Sequence, residues 1–386
     1  SGGQFFQSVF VFQVLEKEDT MAEKTKNKAV TIVSILFFLA LCIWIWVKKP
    51  VDYSDSERRE LAQLPELSWD TAISGELMEE FDSYSVDQFP MRDAFRSLKA
   101  FFVFDVLRQR DNNGIYLKDG YASKLEYPIQ ESSLDRAADR FSYLYDKYLA
   151  GTESRVYFSI IPDKNYFLAA ESGYPALDYD LLMDRMKEKT EFMTYIDLTE
   201  TLTLQNYYRT DTHWRQETLI PAAKKLAAGM DVELTGEYEV KTLDQPFYGV
   251  YCGQAALPIE PDTLAYLTNE ILETCVVYDY ENDRTCPVYD MEKAYGKDPY
   301  EMFLSGSLPL VTITNPVAET DRELILFRDS FGSSMAPLLV SGYRKITLVD
   351  IRYLHPDLLE RYIEFDGQDV LFLYSTLVLN HSETLK

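Results

Sequence analysis

Between Ala29 and Val47 the chain reads AVTIVSILFFLALCIWIWV, nineteen residues without a charge. As a helix rising 1.5 Å per residue, such a run spans roughly 28 Å, about the thickness of a hydrocarbon core. It has no polar face, so it does not suit one side of a soluble core. Lys24, Lys26 and Lys28 precede it and Lys48 and Lys49 follow, with Trp44 and Trp46 near its end as interfacial anchors. Its end, IWIWVKKP, lacks the small-residue pattern of a cleaved signal peptide. The expectation is a single-pass transmembrane anchor over 29–47, with residues 21–28 as a cytoplasmic tail. Met21 opens MAEKTKNK, an ordinary-looking start, so residues 1–20 are expected to lie upstream of the true beginning.

The remaining chain has the means to fold. Of 386 residues, 46% are hydrophobic, enough for a sizeable core. The 63 acidic side chains outnumber 38 basic ones, giving a net charge of −25. Phosphate contacts need clustered Lys and Arg, so nucleic acid is not the expected partner. Cys42 lies in the anchor, leaving Cys252, Cys275 and Cys286. Cys275 and Cys286 flank VVYDYENDRT, a possible hairpin, and are the better placed pair for a disulfide; free buried thiols are the alternative. With no CxxC or HExxH, no metal or cofactor is expected.

Residues 48–67 read as a charged linker, and 68–386 as one domain. From Ser68 to Arg110 the spacing is helical. Leu77, Met78, Phe81 and Tyr84 form one apolar stripe and Phe95, Leu98, Phe101, Phe102 and Phe104 a second, both expected to be core. Asn113-Gly114 marks a turn between short strands. From Leu134 onward, amphipathic helices alternate with apolar runs: RVYFSIIPDK, FMTYIDL, ELILF, KITLVD and DVLFLY. That rhythm predicts an α/β fold, a doubly wound parallel sheet with helices on both faces. Residues 232–322, Tyr-rich and punctuated by Gly and Pro, read as a β-rich insertion, helical only around Asp262 to Leu272.

Two stretches carry chemistry. Ligands of such sheets bind beyond the carboxyl ends of the strands, and there the chain reads LILFRDSFGSSMAPLL, a strand, then Asp329-Ser330, then an apolar helix. A serine at that turn is held by the scaffold and lies near free backbone N–H groups; equally, Asp329 or Ser330 could simply cap the helix. The second stretch, YYRTDTHW, places Asp211 two residues before His213. A serine hydroxyl needs an imidazole to take its proton, and the imidazole a carboxylate to fix its tautomer. In an extended segment residues i and i+2 share a face, so Asp211 and His213 could meet. His355 precedes a proline in a loop, and His381 lies near the C-terminus.

TDTHW together with RDSFG resembles the DHHW protein family, related to the alginate O-acetylation proteins of SGNH-hydrolase-like fold. SERRELAQLPELSWD, DQFPMRDAF, NNGIYLKDGY, IIPDK and DPYEMFLSGSLP extend the resemblance over the chain beyond the anchor. It implies an SGNH-like domain outside the cytoplasm, acting on a cell-surface polysaccharide as an O-acetyltransferase or acetylesterase. Ser330, His213 and Asp211 would form the triad, with an acyl-serine intermediate and a membrane-bound O-acyltransferase as donor partner. Thr212 stands at the motif's second position, and Arg328 where the SGNH pattern has glycine. Gly306 and Ser307 are candidates for oxyanion or substrate contacts, as are Arg352, Trp214 and Arg328. Lys164, at another strand end, is expected to be a solvated lysine. A different class remains open: an inactive polysaccharide-binding or scaffolding subunit of a surface-polymer assembly.

Overall fold

The five apolar runs form adjacent parallel strands of one sheet in a computed structural model that describes residues 25–45, 47–257 and 259–386. The upstream segment 1–20, Met21 and Trp46 lie outside the described residues. In chain order the strands are β1 (Arg155–Ile161), β2 (Thr194–Tyr195), β3 (Val276–Asp279), β4 (Arg284–Cys286), β5 (Leu310–Thr314), β6 (Glu323–Arg328), β7 (Lys345–Val349) and β8 (Asp369–Ser375). Their order across the sheet is β4-β3-β5-β7-β6-β8-β1-β2. Strands β7, β6, β8, β1 and β2 pair in parallel.

Side chains alternate between faces with a period of two, and both faces are apolar. Leu324, Leu326, Ile346, Leu348, Leu371 and Leu373 enter one core, with helix Ile220–Gly229 and helix Phe331–Leu339. Ile325, Phe327, Val349, Val370 and Phe372 enter the other, with helices Glu131–Leu144 and Tyr179–Lys189. Unbroken apolar strands are what two-sided burial demands.

Two expectations are corrected, and one open alternative is decided. The stretch 232–322 is not only an insertion: β3, β4 and β5 extend the main sheet, with β5 antiparallel to β7. Around Asp262–Leu272 the chain is a strand, Asp262–Thr268, paired with Glu239–Phe247; Asn269 then caps a single turn of helix. The hairpin between Cys275 and Cys286 exists, but its register sets Cys286 opposite Val277, and both thiols are free. Cys275 instead donates to Ile271 O at 3.3 Å.

The described residues divide into two compact units, one within 25–54 and 59–95, the other Asp55–Arg58 with Arg96–Lys386. In the first unit, Thr25–Ile45 forms a helix long and apolar enough to cross a membrane, a candidate anchor. The aromatic stripes are core only in part, with Phe104 packed half-buried against Ile115, Ala122, Tyr251, Ala255 and Leu257. Phe81 is 40% exposed, and Phe95, Leu98, Phe101 and Phe102 are 41–49% exposed, while Tyr84 is buried. In helix Arg92–Phe101 the polar side is the tied one: Arg96 donates to Gly253 O at 2.6 Å and pairs with Glu57 at 3.0 Å, which leaves the aromatic side exposed.

Candidate active site

The parallel strands end at Pro162-Asp163-Lys164, Asp329-Ser330, Asp350 and Ser375-Thr376. Asp329 is buried; its Oδ1 accepts the Phe331 N–H at 3.0 Å and its Oδ2 the Ser375 N–H at 2.8 Å. Asp329 therefore closes the turn and ties β6 to its neighbour. Ser330 makes no side-chain cap, and its hydroxyl lies 2.8 Å from His213 Nε2.

His213 and Asp211 sit in a tight loop rather than an extended segment. An isolated bridge joins Tyr207 to Trp214, and Tyr208 N–H donates to His213 O at 3.1 Å. Asp211 Oδ1 accepts both the His213 backbone N–H at 3.0 Å and ring Nδ1 at 2.6 Å. With Nδ1–H given to the carboxylate, Nε2 faces Ser330 as an acceptor. Asp211 Oδ2 takes the Val250 N–H at 2.8 Å and Arg58 Nη1 at 3.3 Å. Burial would raise the Asp211 carboxyl, but the His213 ring, Arg58 and the Val250 N–H hold it below the ordinary range.

The imidazole also has a face partner. Tyr300 stacks on it with centroids 3.9 Å apart and planes 10° from parallel. Tyr300 OH meets Ser334 Oγ at 2.8 Å, and Asp298 Oδ1 accepts the Tyr300 N–H at 3.1 Å. The stacked tyrosine ring thus fixes the plane of the imidazole.

No family model and no curated protein matches the sequence. Solved structures do. A DHHW family protein from Eubacterium siraeum is 22% identical, with a TM-score of 0.58 over 71% of this chain and 95% of that protein. The chain has the fold of a DHHW family protein. PatB1 of Bacillus cereus is 16% identical, with a TM-score of 0.55 over 70% of this chain and 98% of its own. A PatB1 structure carrying a sulfonyl adduct gives 0.53 at 15% identity, over 69% and 95%.

On this DHHW-type scaffold the other candidates fall in different places. Trp214 is fully buried, its indole N–H donating to Ser334 Oγ at 2.8 Å and Phe331 O at 3.2 Å, so it packs beneath the His213 loop. Arg328 is 1% exposed, held by Asp350 at 3.4 Å and Leu308 O at 3.2 Å, and is likewise turned inward. Arg352 grips the same Asp350 with two bonds, at 2.9 and 2.6 Å. Gly306 and Ser307 belong to the loop that reaches Arg328 through Leu308; Gly306 adopts φ 94°, and Ser307 is exposed. Among the described residues, no side-chain hydrogen bond joins any of these five to Ser330.

Lys164 is not a solvated lysine. It is 2% exposed, and its ammonium donates to Tyr208 O and Asp211 O at 2.8 Å and approaches Arg209 O at 3.3 Å. Burial pushes it down to about 7, against the pull of Asp211 and Asp262. Three carbonyl acceptors match the three donors of an ammonium, so Lys164 staples the loop that carries Asp211. Nothing in the local sequence marks Arg58, Asp298 or Tyr300; the pieces SERRELAQ and DPYEMF that hold them carry the family resemblance but no chemistry.

Gly249 shows how closely that loop is packed. A Cβ there would lie 2.3 Å from Thr210 C and 2.4 Å from Asp211 Cα. Gly249→Ala is expected to destabilise the protein by about 1–3 kcal/mol, as overpacking does, and to displace Asp211. Thermal unfolding beside ester turnover checks this; a variant with unchanged stability and turnover contradicts it.

Proposed function

We propose that this chain is a membrane-anchored, extracytoplasmic O-acetyltransferase or acetylesterase for a cell-surface polysaccharide. The observation that carries the reading is the hydrogen-bonded series Asp211–His213–Ser330, at 2.6 and 2.8 Å. The motif likeness of TDTHW and RDSFG supplies the acetyl group and the polymer, and the candidate anchor supplies the location.

In this reading His213 Nε2 takes the Ser330 proton as Oγ attacks an acetyl carbonyl. The tetrahedral intermediate collapses, its leaving group receives the proton from His213, and an acetyl-serine remains. A sugar hydroxyl then gives its proton to His213 and attacks the acyl carbon, and Ser330 leaves with the proton returned. Water in place of the sugar makes the protein an esterase. Asp211 orients the ring and stabilises its cation. Ser307, exposed, is the candidate among the loop residues for substrate contact. A membrane-bound O-acyltransferase is the proposed source of acetyl groups.

An activated acetyl ester and a neutral oligosaccharide acceptor test the reading together. Acetylated sugar is expected by mass spectrometry, with acetate as the side product. Folded wild-type protein that produces neither would favour the inactive binding or scaffolding subunit.

A further inference from the structure

The segment following the candidate anchor does more than span a gap. Asp55–Arg58 belongs to the same compact unit as the sheet, and it is pinned there at three points. Ser56 O occupies the space a Cβ on Gly253 would need, 1.4 Å from it, so only glycine lets the segment lie there. Glu57 pairs with Arg96 at 3.0 Å. Arg58 takes φ 52°, a left-handed conformation that costs a bulky residue energy and needs surrounding structure to hold it.

The Arg58 side chain is only 8% exposed. Its Nη1 lies 2.8 Å from Asp298 Oδ1 and 3.3 Å from Asp211 Oδ2; its Nη2 donates to Tyr248 O at 2.8 Å. The guanidinium also lies over Phe247, 5.5 Å from the ring centroid. One cation thus joins the two supports of the imidazole. Asp211 orients the edge of the ring, and Asp298 caps the turn whose Tyr300 covers its face.

We propose that Arg58 is a positioning residue of the triad, so that the juxtamembrane segment holds the site in working geometry. This rests on the acyl-serine reading. Without Arg58, two carboxylates that now share a cation face one another, and both supports of the ring loosen. A planar fork serves two carboxylates and a carbonyl at once; an ammonium does not match that geometry.

The test uses the full chain in detergent, with a small acetyl ester as substrate. Arg58→Met is expected to lower kcat by about 10²-fold, the scale of a small misplacement of reacting groups, with KM changed by less than about 3-fold because Arg58 does not touch so small an ester. Arg58→Lys should fall between the two. Adding Asp298→Asn to Arg58→Met should recover part of kcat, since it removes the unbalanced charge; a purely structural role would not give that recovery. Should Arg58→Met fail to fold, Arg58→Lys carries the test. Wild-type kcat in every folded Arg58 variant, with Ser330→Ala inactive, would overturn the proposal. Wild-type turnover in Ser330→Ala would instead sink the acyl-serine reading.

Discussion

Exchanging Ser330 for alanine is expected to lower acetyl-ester turnover by about 10⁴–10⁶-fold, the range seen when a nucleophile that works as part of a triad is removed. The fold should survive. Among the described residues the Ser330 hydroxyl hydrogen-bonds only to His213 Nε2, while Asp329 performs the capping and strand-tying at that turn. The loss should therefore appear in kcat with little change in thermal unfolding. Turnover within 10-fold of wild type would mean that another group attacks the acetyl carbon.

Asp211→Asn should cost about 10⁴-fold, the scale at which the wrong imidazole tautomer disables a serine triad. Every side of the Asp211 carboxylate receives a donor. Oδ1 accepts the His213 N–H and ring Nδ1, and Oδ2 accepts the Val250 N–H and Arg58. An asparagine must turn its NH2 to one side or the other. Toward His213, it forces Nδ1 to accept, leaving Nε2–H pointing at Ser330 and no base for the hydroxyl. Toward Val250 and Arg58, it sets buried donor against donor, a cost of about 1–3 kcal/mol. Turnover as a function of pH, beside thermal unfolding, separates the two orientations; wild-type kcat with intact stability would contradict both.

The readable part of this protein was the part written locally. Apolar strands announce burial on both faces, so the parallel strands could be found from RVYFSII or ELILF without knowing their order. Asp211 and His213 stand two residues apart, and Ser330 lies at the strand-to-helix junction, so chemistry and position coincide in short stretches. Arg58 is 153 residues from Asp211, and Tyr300 approaches His213 from a separate turn. No spacing rule joins such residues; only tertiary packing does. The aromatic stripe at Phe95–Phe102 misled for a related reason: periodicity says that residues share a face but not which way the face points. Arg96, bound to Gly253 O and Glu57, decides that. Strand β5 gives no local sign of joining the sheet, because an antiparallel strand inside a Tyr-rich stretch carries no helix–strand alternation to mark it.

The most direct test of the central claim is to map where an acylating reagent reacts. The full chain is incubated with a sulfonyl fluoride or an activated acetyl ester, digested, and the modified peptide sequenced by mass spectrometry. A single adduct on Ser330, lost in His213→Ala and blocked in Ser330→Ala, is the predicted result. Folded wild-type protein that takes no adduct, or an adduct that persists in Ser330→Ala, would contradict it.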